Sequence, residues 1–353
     1  MSNSLDWLAP RVEVRIAGVR LPEAMAETLT AVTVSEDVDA PGMFTVELVA
    51  WDLARGQLCW IDDDRFALGN VVEISMGSGN QLQRLITGEI TGLEPEFTAG
   101  SAPLLVVRGH DLRHRLLRGT KTRSFVQIKD SAIASQIVAE HNISSRVEDT
   151  KINLDYVLQH SQTDWEFLKS RADRLGYEIA MEDKTLHFRS HSLDKPKVLT
   201  LTREDDLIFF SPRLSSLNQV KQVEVRGWLP KEKKVTLAKT AAGNETTMGG
   251  SNSGPKATAK AFGTSSYTMV NQLVNSKAEA DEIALGQLNE MALRYITSEG
   301  TCLGNFKVRA GKMIEITGVG KKFSGLYYVT ATNHRYSPDG GYRTQFTVGR
   351  NTT

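Results

Sequence analysis

Cysteine is scarce in this sequence, long apolar runs are missing, and charge of neither sign prevails; each absence excludes something. Cys59 and Cys302 are the only two cysteines in 353 residues. They lie far apart and in no metal-like spacing, so they read as small buried hydrophobes, and nothing demands an oxidising compartment. No run reaches the roughly 18 apolar residues of a membrane helix, so no membrane insertion by the chain itself is expected. The N-terminus MSNSLDWLAPRVEVRI lacks a basic stretch followed by an apolar one. The chain is therefore expected to start in the bacterial cytoplasm without a signal peptide. Lys plus Arg and Asp plus Glu balance at 42 each. That balance offers nucleic acid or an anionic membrane no global attraction.

Catalytic and metal motifs are missing as well. His110 and His114 stand at helical i, i+4 spacing, but Asp111 occupies the place where a zincin carries its catalytic Glu, among repelling arginines. Asp62, Asp63 and Asp64 are consecutive, whereas a calcium loop alternates its carboxylates and turns on a glycine. Gly318, Gly320 and Lys321 lack the Walker spacing and fall between strands. There is no Gly-x-Ser-x-Gly elbow, and Asp155 with His160 has no nucleophile partner. No catalytic, cofactor-binding or metal-ligating residue is assigned, and no enzyme activity is expected.

What is present is short alternating strands. Segments 11–16, 31–34, 43–49, 70–75, 82–89, 91–97 and 104–108 alternate with glycine-bearing turns, which favours a barrel, since closure removes exposed edges. Beyond residue 110 the character changes. Asp130 reads as an N-cap for a helix over 131–140, and 162–175 is a stronger helix closed by Gly176. A hairpin over 177–188 completes an α+β insert. Strand character returns near 206, followed by a Lys-, Thr-, Gly- and Ser-rich stretch at 230–266 that reads as a long flexible loop. A helix over 277–295 precedes four terminal β segments, at 306–308, 313–316, 327–329 and 342–348. The fold class is mainly β with an α+β insert. The expected domains are a first β-barrel at 1–110, the insert at 111–205, and a second β-barrel with a crossing helix at 206–353.

The densest charge feature is basic: Arg108, Arg113, Arg115, Arg118, Lys121 and Arg123. It suits an acidic partner or a lumen wall, or else a solvated connector. It lacks the interleaved aromatics of a single-strand binder, and nucleic acid is not expected as a partner.

Three stretches in order resemble one family. They are Gln159-His-Ser-Gln-Thr-Asp-Trp-Glu-Phe-Leu168 with Arg174-Leu-Gly-Tyr177; Val107-Arg-Gly-His-Asp-Leu112; and Val308-Arg-Ala-Gly311 through Gly325-Leu-Tyr-Tyr-Val329 to Gly341-Tyr-Arg-Thr-Gln-Phe346. Together they resemble the phage late control D family of contractile-tail baseplate hubs. That family shares its fold with the hub part of type VI secretion spike proteins and of extracellular contractile injection systems. The resemblance implies two tail-tube-like barrels side by side in each chain, and a homotrimer of pseudo-hexameric form. Implied partners are an inner tail tube protein, a separate spike protein and other baseplate components. The implied setting is the baseplate of a phage-tail-like particle, released from the cell in some systems. Since the sequence stops at Thr353, after the second barrel, the spike needle is expected on another polypeptide. Trp51, Trp60 and Trp228 are candidates for contact between chains, alongside the basic cluster. The alternatives are a cell-wall hydrolase or carbohydrate-processing tail protein, using Asp164, Glu166 and Asp173, and a cargo or nucleic-acid adaptor.

Overall fold

Alternation of apolar and polar residues makes strands with one buried face, and residues 10–111 contain six long ones. In the computed structural model, which describes residues 10–79, 81–229, 232–250, 252–270 and 273–353, these are β1 (Pro10–Ile16), β2 (Leu29–Asp37), β3 (Met43–Val49), β4 (Val71–Ser78), β5 (Gln81–Glu96) and β6 (Leu104–Asp111). The N-terminal stretch read for a leader falls largely in residues 1–9, outside the described residues. Segments 82–89 and 91–97 are one bent strand, β5. Its first half pairs with β4 and its second with β6, and a bulge between Ile90 and Gly92 turns it from one partner to the other. Phe44, Leu48, Phe66, Ile74 and Met76 fill the interior.

The next elements are β7 (Lys121–Ile128), α1 (Asp130–Glu140), β8 (Ser144–Val147), β9 (Leu154–Gln162), α2 (Asp164–Leu175), β10 (Tyr177–Glu182) and β11 (Thr185–Ser190). Helix α2 starts two residues later than its sequence suggests. Thr163 accepts from the Glu166 amide and Glu166 reaches back to the Thr163 amide, a capping box that sets the first turn. Gly176 closes it with φ 66°, a left-handed conformation that favours glycine. Asp130 is not a cap: Lys129 holds that position, and the Asp130 carboxylate receives Arg171 at 2.6 and 2.9 Å. A separate core of Ile133, Ile137, Leu168, Ile179 and Phe188 surrounds Phe167, whose ring stacks on Phe125 at 5.7 Å.

The remainder comprises β12 (Leu199–Thr202), β13 (Leu207–Leu214), β14 (Gln222–Leu229), β15 (Lys234–Ala241), α3 (Gly254–Phe262), β16 (Ser266–Met269), α4 (Lys277–Leu293), β17 (Ile296–Leu303), β18 (Met313–Thr317), β19 (Gly325–Ser337) and β20 (Gly341–Arg350). Two expectations are corrected here. The stretch 230–266 is not a loop throughout, because it contains β15 and α3. Thr236, Ala238 and Thr240 alternate inward on β15, small enough to escape a search for large apolar residues; Pro230, Lys231 and Ser251 lie outside the described residues. Residues 306–308 form a turn instead of a strand, with Val308 buried and its carbonyl taken by His334 Nε2 at 2.9 Å. Strand β12, within the stretch read as the insert, pairs in parallel with β18.

Thirteen strands share one sheet, whose main path runs β13-β17-β20-β19-β2-β3-β6-β5-β4-β1 and ends in a two-residue strand, Val19–Arg20, beside β1; β12 and β18 lie off this path. The join between its halves is β2 against β19, antiparallel, from Ala331 opposite Asp37 to Tyr336 opposite Val32. Both barrels are therefore segments of a single hydrogen-bonded sheet. The insert meets the second half at bare backbone. A Cβ on Gly286 of α4 would lie 2.5 Å from the Leu175 carbonyl, and one on Gly176 would lie 2.8 Å from Gly286 Cα.

Two stability changes follow. Phe167→Ala should cost about 3–5 kcal/mol in denaturant unfolding, as expected for a fully buried ring. Gly286→Ala should cost about 1–3 kcal/mol, because neither backbone can yield as a side chain would. An unfolding midpoint unchanged by Gly286→Ala would show that the two helices part freely.

Candidate functional site

Outward-pointing side chains on neighbouring strands line up in rows because register is fixed by the ladder. At the junction of the two halves one row runs His110–Met43–Ser35–Asn333–Gln345–Thr301–Phe209, crossing β6, β3, β2, β19, β20, β17 and β13. A second runs Asp37–Ala331–Thr347–Glu299–Ser211. Between them lies a groove of about 630 Å³, also bordered by Pro41 and Phe346. Its floor is amide and hydroxyl, with Asn333 Nδ2 donating to Ser35 Oγ at 2.9 Å. Its carboxylates are Glu36, Asp37 and Glu299. Burial pushes Asp37 above the ordinary aspartate range.

Beneath the floor, charged groups tie the parts together. Burial alone would raise the pKa of Glu36, but the Arg309 guanidinium outweighs it and holds the carboxyl below its usual range. Arg309 Nε donates to Glu36 at 2.6 Å, and its Nη2 donates to Glu36 and to the Leu85 carbonyl. His334, fully buried, meets Tyr342 Oη at 2.8 Å through Nδ1 and donates from Nε2 to the Val308 carbonyl. A carbonyl only accepts, so Nε2 carries the proton and Nδ1 is free to accept. On the insert side Glu178 receives Arg189 at 2.7 Å and the Tyr328 hydroxyl of β19. Lys312 donates to Glu182 at 2.8 Å.

The six cations noted in the sequence do not form one free patch. Arg108 holds Glu94 with two bonds, at 2.8 and 2.9 Å. Arg113 is buried, bound to Asp111 at 2.7 Å, to the Ile179 carbonyl at 2.7 Å and to the Asp37 carbonyl at 3.1 Å, so it works inside the molecule. Arg115 pairs with Glu89 and donates to the His141 carbonyl at 3.0 Å. Lys121 and Arg123 converge on Glu140 and Asp164. Arg118 is exposed and makes no ion pair among the described residues. Burial would raise Asp164, yet bonds from His141, Lys121, Gln159 and the nearby Arg123 charge bring it down to about 2.

Of the tryptophans, Trp51 is half-buried and Trp60 packs on the first core, while Trp228 stands exposed on β14. Of the three acids named for hydrolysis, Asp164 sits in its cation cluster, Glu166 in the capping box and Asp173 with Lys169. Asp63 caps a short 3-10 turn and binds Arg65. His110 bonds Thr91 and His114 bonds Glu89. No group of three or more metal-type side chains converges among the described residues. Both cysteines are free thiols. No helix of the described residues is long and apolar enough to cross a membrane. The groove itself was beyond sequence reasoning. Its rows exist only through the β2–β19 register, which joins residues about 300 apart.

Residues 8–338 match the family model described as Alg8 N-terminal domain. No curated protein sequence matches significantly. Solved structures do. The 43 kDa tail protein of prophage MuSo2 from Shewanella oneidensis aligns at TM-score 0.72 with 14% identity, over 97% of this chain and 98% of that one. A tail protein from Neisseria meningitidis MC58 aligns at TM-score 0.68 with 16% identity, over 97% of each. The E. coli c3393 protein, a component of the type VI secretion system, aligns at TM-score 0.60 with 12% identity, over 96% of this chain and 77% of that one. The fold is thus shared with phage tail and type VI secretion proteins.

The junction should respond to acid. Burial lowers His334 from 6.5 to about 4. The unfolded chain therefore binds the proton more readily, and stability present above pH 6.5 is lost as pH falls towards 4. Thermal midpoints should decline across that window, and His334→Gln should flatten the decline. Parallel curves for both proteins would remove His334 from this role.

Proposed function

The chain belongs to the Alg8 N-terminal domain family, and we propose that it is a non-enzymatic central hub of a contractile injection-system or phage-tail baseplate, of the late control D type. One observation carries this reading. Eight strands run side by side from β13 to the second half of β5, and both ends of the run are unpaired among the described residues. Ile208 and Phe209 are exposed at one end, Leu93 and Phe97 at the other. Open apolar edges of this kind invite strand pairing with another chain. Two different edges that meet head to tail generate a ring when the rotation closes. Three copies so joined would present six barrels to a six-fold inner tail tube on one side and a three-fold spike on the other. The polar sheet face with its groove would line the ring. Adaptation of symmetry and transmission of force need only complementary surfaces. The insert's acids are engaged by cations or by a helix cap, Asp164 by Lys121 and Arg123, Glu166 by Thr163 and Asp173 by Lys169, which suits such a scaffold better than a hydrolase cleft.

Light scattering across a dilution series tests it: the expected mass is three times that of the chain. Phe209→Asp and Leu93→Asp should each reduce it to the single-chain value with an unchanged circular dichroism spectrum. A single-chain mass that persists when tube and spike proteins are added would overturn the hub assignment.

A further inference from the structure

Strands β14, β15 and β16 form a separate three-stranded sheet with β14 in the middle. One face packs on α4 through Val223, Val225, Leu229 and Ala238. Its other face is bare: Trp228 is 54% exposed, Val235 69% and Leu237 41%. The ladder sets Trp228 opposite Val235, Arg226 opposite Leu237 and Glu224 opposite Lys239, so the three apolar residues adjoin and a charged pair borders them. β15 is an edge. Among the described residues, no main-chain hydrogen bond between Lys234 and Thr240 leads anywhere but to β14. The surroundings are cationic, with Arg226, Lys233, Lys234 and Lys239 against Glu224 and Glu232. Glu224 is shared by Lys239 at 2.8 Å and Arg226 at 3.1 Å, so one carboxylate serves two cations.

We propose that β15 receives an extended segment of a partner protein as a fourth strand, with an acidic residue facing Lys239 and apolar residues facing Leu237 and Val235. The unpaired amides and carbonyls of the edge supply the main-chain bonds of strand addition. Cross-strand neighbours supply the selectivity: an incoming carboxylate completes the charge balance around Lys239, and two apolar side chains cover Leu237 and Val235. An antiparallel strand would read acidic, any, apolar, any, apolar. The occupant is thus a mixed acidic and apolar segment and not a polybasic one. This inference is independent of the ring-forming edges, which lie on the other sheet.

The test uses the full chain and two fluorescein-labelled synthetic peptides, read by fluorescence anisotropy. One carries the core Glu-Thr-Ile-Thr-Ile and the other Lys-Thr-Ile-Thr-Ile. The acidic peptide should bind about fivefold tighter, the worth of one favourable cross-strand pair. Lys239→Glu should reverse that preference, which a merely unfolded variant cannot do. Leu237→Lys should weaken both peptides. Failure of the acidic peptide to saturate, or a preference left unchanged by Lys239→Glu, would overturn the proposal.

Discussion

Antiparallel pairing of β2 with β19 is the constraint on which the rest of the molecule depends. Six residue pairs, Asp37–Ala331 to Val32–Tyr336, make one sheet of two barrels that the sequence separates by the whole insert. A one-residue slip in that pairing would turn every side chain to the opposite face. Val34 and His334 would leave the interior, and the rows that floor the groove would dissolve. The register is fixed from both sides, because the alternate residues beneath it are buried, Val32 and Val34 in the first core and Thr332 and His334 on the facing strand.

Buried charge does a second job at the same place. Arg113, Arg309 and Glu178 each leave water to bind partners in a different part of the chain: Arg113 joins β6 to β2 and β10, Arg309 joins the 304–312 turn to β2 and β5, and Glu178 joins β10 to β19. Ion pairs of this kind add little net stability compared with apolar packing, but the loss of one partner strands the other in a low-dielectric interior. Their directionality therefore penalises any arrangement of the three parts other than the one observed. Apolar surfaces alone, which tolerate sliding, would not discriminate as sharply.

Much of the fold was legible because it rests on local rules. The alternation of β1 and β3, the Gly176 stop and the apolar stripe of α2 are written in neighbouring residues. Where small residues replace large ones, as in Thr236, Ala238 and Thr240 of β15, the same alternation loses its hydrophobic contrast and passes for a loop. The turn at 306–308 misleads for the converse reason: its apolar residues are buried individually, one in each core, without a strand between them. The candidate site was the least legible feature. Charges such as Arg113 and Lys121 cluster in the sequence, yet their acids come from several elements, and proximity along the chain says nothing of whether a cation faces water or a carboxylate. Trp228 could be named from composition alone, but its exposure depends on which face of β14 helix α4 covers.

The contact between Gly176 and Gly286 has a mechanical meaning. Where helices meet through side chains, rotamer changes can absorb a small displacement before the neighbour feels it. Here two backbones touch with nothing between them. A push on α4 towards the insert is therefore passed to the end of α2 almost undiminished, since main-chain atoms have no slack to take up. The insert rides on the second barrel as a stiff follower, and a shift of a few tenths of an ångström on one side is registered on the other.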